Sequence, residues 1–100
     1  MGIAICEMRW GPPESRAEGG CCVCCGRKFR SVKSVRWVEV IDGGSTVAAP
    51  GLGVDTNDPG YLGLFPVGVG CARRHFPGFT HSLPEFDYLI EREIESNKKG

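Results

Sequence analysis

Polar and apolar positions alternate with period two over residues 29 to 49, "FRSVKSVRWVEVIDGGSTVAA". That alternation predicts a β-hairpin. Val35, Trp37 and Ile41 fall on one face, and Val38 and Val40 on the other. Asp42, Gly43 and Gly44 supply residues that accept positive φ, as a tight hairpin turn requires. A shorter run, "YLGLFPV" at 61 to 67, predicts a third strand that ends or lies at an edge because of Pro66. Upstream, Ile3 to Met8 is a candidate short strand. "GPPESRAEGG" and "PGLGVDTNDPG" carry turn and linker chemistry.

The period changes to that of a helix near the end of the chain. Leu83, Phe86, Leu89, Ile90 and Ile94 form one stripe. Ser82 and Glu85 have the spacing of a capping box, so a helix is expected over about 82–96, packed on the core. "GVGCARRHFPG" predicts one or two helical turns that stop at Pro77–Gly78. Together these elements predict an α+β fold. It comprises a small domain with a β-hairpin or three-stranded sheet, a short helix and a carboxy-terminal amphipathic helix. One domain over 1–100 is expected.

Composition changes this picture in two respects. Twelve Lys and Arg balance twelve Asp and Glu, so no overall charge draws the chain to an anionic partner. A chain of 100 residues builds only a modest apolar core, which makes a covalent or metal staple useful. The opening "MGIAICEMRWGPP" lacks the basic and apolar regions of a secretory signal, and no stretch has the length of a membrane span. A cytoplasmic setting with reduced thiols, and no membrane association, is expected.

Four of the six cysteines stand in "CCVCC", at Cys21, Cys22, Cys24 and Cys25. Disulfides suit this pattern poorly, because neighbouring cysteines cannot bridge without strain. C-x-x-C can be drawn as Cys21 with Cys24 or as Cys22 with Cys25. The second register is preferred, since Gly26 follows it where a knuckle needs positive φ. Zinc takes four soft or borderline ligands, usually as two separated pairs. Cys71 and His75 supply the second pair. They stand four residues apart at the start of the short helix, and i and i+4 share a helical face. The expected Zn2+ site is therefore Cys22, Cys25, Cys71 and His75, with His81, Cys6 or Cys24 as substitutes for the fourth ligand. It makes the α+β fold a small zinc-stabilised domain, with a knuckle ahead of the hairpin and a zinc core over about 21–76. His81 otherwise reads as a loop residue before Ser82.

A catalytic zinc needs an open position and a general base, and no H-E-x-x-H or deaminase-type arrangement is present. No catalytic residues are assigned, and a metal-dependent hydrolase or nuclease is the weakest of the readings. A binding module is favoured. "RKFRSVKSVR" holds Arg27, Lys28, Arg30, Lys33 and Arg36 without an acid. Arg73 and Arg74 would join them across the metal, and Phe29 and Trp37 are interleaved rings. That is the footprint of a nucleic-acid or protein partner site. The last helix opposes it, with Glu85, Asp87, Glu91, Glu93 and Glu95 against Arg92.

The knuckle "CVCCG" followed by a hairpin and by "GVGCARRH" resembles a treble-clef zinc finger. In that fold the knuckle and the helix's first turn each give two ligands. "CCGRKF" and "PVGVGCARRH" are also similar to small uncharacterised phage and bacterial proteins that pair C-x-x-C-G with a later Gly-x-x-Cys helix start. The likeness covers residues 22 to 76 and departs from the pattern where His75 replaces the usual second helix cysteine. It implies a fold and a metal, and it allows an alternative role as a small phage-encoded inhibitor of a host complex, of the anti-CRISPR type.

Overall fold

The central strand is buried on both faces, and the rest of the molecule is arranged around that fact. The computed structural model describes residues 5–11 and 21–99. Strands β1 (Ile5–Glu7), β2 (Val35–Ile41), β3 (Thr46–Ala48) and β4 (Gly63–Gly68) form an antiparallel sheet in the order β1-β3-β2-β4. Helices α1 (Val69–His75) and α2 (Asp87–Lys99) complete an α+β fold. Among the described residues, no helix is long and apolar enough to cross a membrane.

The sheet has one strand more than the hairpin and third strand account for. The addition is β1, which pairs Cys6 with Val47 on β3. Its expected start at Ile3, like residues 12–20 of the linker, lies outside the described residues. After β1 the chain bonds the hairpin turn, with Met8 N–H donating to Ser45 O at 3.0 Å. The Trp10 indole N–H donates to Gly44 O at 2.6 Å, and the ring meets Phe65 edge-on at 5.2 Å.

The turn forms as its residues suggest, with Asp42, Gly43 and Gly44 at φ 54°, 70° and 107°. Ahead of β2 the hairpin departs from simple alternation. Val32–Ser34 makes a 3-10 turn, because Ser31 Oγ accepts from Lys33 N–H at 3.2 Å and Ser34 Oγ donates to Ser31 O at 2.7 Å. Such local side-chain bonds compete with an extended backbone.

By alternation, Arg36, Val38 and Val40 share a face with Val47, Phe65 and Val67. Val35, Trp37 and Glu39 share the other with Ala48, Leu64 and Pro66. Val38, Val40, Val47 and Val67 are fully buried. On the second face Trp37 packs against Phe86, with ring centroids 5.7 Å apart.

Pro66 sits in β4, at the sheet's edge. It lies opposite Trp37, which gives its own backbone N–H and C=O to His81 at 3.0 and 2.7 Å, so no ladder bond is lost to the proline. His81 is therefore a sheet-extending residue rather than the loop residue expected. Burying Trp37 between two layers requires a backbone partner beyond the end of β3, and His81 provides it.

The carboxy-terminal helix starts later than the sequence pattern suggests. Pro84–Phe86 forms a 3-10 turn capped by Leu83 without a side-chain bond, and α2 begins at Asp87. The Ser82–Glu85 capping box does not form. Pro84 biases the residue before it away from helical backbone, and Ser82 is left outside the first turn. Ile90 is buried and Phe86 and Ile94 are half-buried, whereas Leu89 is 38% exposed and leaves the stripe.

Candidate metal centre and its cationic surroundings

The doubled cysteines resolve into a turn. Gly26, at φ 79°, donates its N–H to Cys22 O at 2.8 Å, and Cys22 N–H donates to Arg27 O at 2.9 Å. Cys21 and Lys28 bridge just outside this turn, so Cys21 to Lys28 is a miniature hairpin. Its geometry selects Cys22 and Cys25 as the C-x-x-C pair, because only that register closes on a residue free to adopt positive φ. Cys21 is buried, at 3% exposure.

The knuckle leans on the sheet. Val23 N–H donates to Pro66 O at 3.1 Å, and Gly11 N–H donates to Val23 O at 2.6 Å. β4 leads directly into α1, where Cys71 stands in the first turn, capped by Gly68. The Cys22, Cys25 and Cys71 sulfurs lie within 4.8 Å of one another. Sulfurs on a tetrahedral zinc with Zn–S near 2.3 Å sit about 3.8 Å apart, and the spacing of the three sulfurs is compatible with such an ion. The donors fit a thiophilic metal, and no carboxylate among the described residues belongs to the group.

Electrostatics prepare one sulfur for this role. The Cys22 thiol is lowered to about 4, first by a hydrogen bond from the Cys24 thiol, with backbone N–H groups of Gly68, Cys25 and Cys24 adding to it against burial. Cys24 is raised by the same contact, since its proton is held against the Cys22 sulfur. The Cys24 sulfur also stands 3.0 Å from Arg9 O, and its single proton serves one acceptor at a time. Cys71 is pushed up to about 12 by burial and then by the neighbouring Cys22 charge.

The three thiols come together without the fourth residue of the expected set. His75 is half-buried on α1 with its ring edge-on to Phe76 at 6.1 Å, and its nitrogens are outside the 4.8 Å group. Of the possible substitutes, Cys6 lies on β1 opposite Val47, and His81 lies opposite Trp37. Cys24, in contact with Cys22, borders the site. The Trp37 Nε1 and His81 Nε2 atoms are buried without a hydrogen-bond partner.

The cationic residues separate into two groups. Arg27, Lys28, Arg30, Lys33, Arg73 and Arg74 are exposed. Arg36 is half-buried, with Nε donating to Thr80 Oγ1 at 3.0 Å and Nη2 to Thr80 O at 3.2 Å. It shares a cleft with Arg73. Phe29 and Trp37, which the sequence intersperses among these cations, are buried at 6% and 5% exposure and offer no face to a base. Sequence reasoning missed the contacts of Trp10, Gly11 and Arg9 with the hairpin turn and the knuckle. The only available signal was an indole and a glycine next to a proline pair.

Protein-family models, curated proteins and solved structures were all compared with the chain, and none of them matches it.

Proposed function

We propose that this chain is a structural zinc-binding module of treble-clef type, which presents a surface to a partner and does not turn over a substrate. The observation that carries the reading is the convergence of Cys22 and Cys25 from the knuckle with Cys71 from the first turn of α1. A knuckle and a helix start are the two places from which a treble clef draws its ligands. Thiol-rich sets select zinc among the abundant hard and borderline divalent ions. Rotation of the His75 side chain, one turn beyond Cys71, or of Cys24 supplies the fourth ligand and closes the coordination sphere. A closed sphere stabilises a fold and leaves no position for an attacking water. The exposed cations on the knuckle and on α1 are the surface offered to an acidic partner or to nucleic acid. Such a site needs reduced thiols, which suits the cytoplasm.

Native mass spectrometry of protein purified under reducing conditions tests this directly. One zinc per chain is expected, with loss of the ion in Cys22→Ser, Cys25→Ser and Cys71→Ser. A chain that is folded and metal-free at stoichiometric zinc overturns the reading.

A further inference from the structure

We infer that the cleft between β2 and α1 captures a carboxylate of a partner polypeptide, with an apolar side chain beside that carboxylate seated on the cleft floor. This deepens the interaction role proposed above and rests on it. The cleft is open to solvent, has a volume of about 360 Å³ and is lined by Arg36, Val69, Ala72, Arg73, Pro77 and Thr80.

Arg36 is preorganised. Its two bonds to Thr80 use two of the five guanidinium N–H groups and hold the plane in place, leaving three donors. A fork fixed in advance loses little side-chain freedom when an oxyanion arrives, and its planar geometry suits the two oxygens of a carboxylate.

Charge is uncompensated at this point. Among the described residues, neither Arg36 nor Arg73 has a carboxylate partner within ion-pair distance. Two cations flanking one cleft favour an anion there.

The floor identifies what accompanies the anion. Val69, Ala72 and Pro77 give the cleft an apolar lining. A phosphodiester chain carries charge on every unit and gains from exposed rings on which bases stack. No ring lines the cleft, and Phe29 and Trp37, the rings interleaved with the cations in sequence, are buried. An acidic residue next to a Leu, Ile or Val matches both the fork and the floor. The carboxylate comes from an Asp or Glu side chain or from a chain terminus, and the two sources are separable by experiment.

The test is an NMR titration of metal-loaded, 15N-labelled protein at low salt. The probes are N-acetyl-Glu-Leu-amide, N-acetyl-Leu with a free carboxylate, N-acetyl-Gln-Leu-amide, inorganic phosphate and oligothymidylate. Expected are shifts confined to the Ala72 and Arg73 amides and the Arg36 Nε resonance with one or both carboxylate probes. The probe that binds tells side chain from terminus. At least tenfold weaker binding is expected for the Gln analogue and for Arg36→Gln. Arg73→Glu, on the exposed face of α1, is expected to keep the native spectrum and also weaken binding tenfold, which separates lost recognition from lost folding. Unchanged cleft resonances with both carboxylates overturn the proposal. Equal shifts from the Gln analogue, or a tighter cleft footprint from oligothymidylate or phosphate, do so as well. Metal content measured on the same sample keeps the two readings apart. Zinc-loaded protein with no footprint defeats only the cleft, and metal-free folded protein with a footprint defeats only the metal module.

Discussion

The sheet and the thiol corner are held by different physics, although they share β4. In the sheet, Val38, Val40, Val47 and Val67 are fully buried and stack across paired strands. Their stabilisation scales with apolar area and needs no partner. In the thiol corner, Cys22, Cys25 and Cys71 place three polar, ionisable sulfurs side by side. Burial and mutual repulsion oppose that arrangement, and Cys71 shows it by being pushed up to about 12. The first region is stable because of what it excludes. On the reading proposed above, a bound metal completes the second and closes a corner where a small chain lacks apolar residues.

The largest effect expected from this contrast comes from taking the metal away. Structural zinc contributes on the order of 10 kcal/mol in small fingers. A strong chelator should therefore reduce the melting temperature sharply by circular dichroism, and Cys22→Ser should do the same without chelator. A melting curve indifferent to chelation would make the thiol corner an ordinary part of the core.

Phe76→Ala probes the apolar side of the comparison. The ring is fully buried just after α1, and its loss should cost about 3–5 kcal/mol. Because the sulfurs are untouched, metal stoichiometry should stay unchanged while the denaturation midpoint falls. Loss of metal from this variant would show that the core positions the ligands.

Gly11→Ala tests the seam between the two regions. A Cβ there would stand 2.5 Å from Cys24 O, and the residue's own N–H donates to Val23 O at 2.6 Å. Both contacts are backbone, so the chain must shift, at about 1–3 kcal/mol. The denaturation midpoint measures it, and the knuckle's metal affinity should fall with it.

Acidification separates the regions by sign. Cys22, lowered to about 4, is a thiolate throughout the neutral range, whereas Cys71 keeps its proton there until a metal displaces it. Metal binding therefore releases at least one proton and weakens about tenfold, near 1.4 kcal/mol, for each unit of pH lost per proton released. Calorimetry in buffers of different ionisation enthalpy counts the protons. The valine-lined sheet has no such dependence.

The smallest effects belong to the two remaining cysteines of the cluster. Cys21→Ser leaves a buried hydroxyl in place of a thiol, and Cys24→Ser keeps a donor for Arg9 O. Each should cost about 1 kcal/mol and retain the metal. If Cys24→Ser instead releases it and His75→Ala does not, Cys24 is the fourth ligand.

The parts of the molecule legible in the sequence are those that local chemistry dictates. β2 and its turn follow from alternation ending in Asp42–Gly44, and α1 from its flanking Gly68 and Pro77. Three of the four expected ligands meet because Gly26 sets the knuckle and α1 starts beside it. Contacts between distant segments left no local trace. β1 pairs with β3, Trp10 reaches Gly44, and His81 pairs with Trp37, each fixed by where the sheet needed a partner. Phe29 and Trp37 mislead when read as rings among cations. A charged neighbour says nothing about which side of a strand faces water.

The bond from Val23 N–H to Pro66 O also bears on how easily a second copy could extend the sheet. β4 is an edge strand with the sequence "GLFPVG", and a bare apolar edge is a template on which a second chain adds a strand. Pro66 removes one donor from that edge, and the knuckle occupies an acceptor. The knuckle is thus also a guard rail. If it holds zinc as proposed, removing the ion at high protein concentration should end in self-association rather than in a soluble unfolded chain.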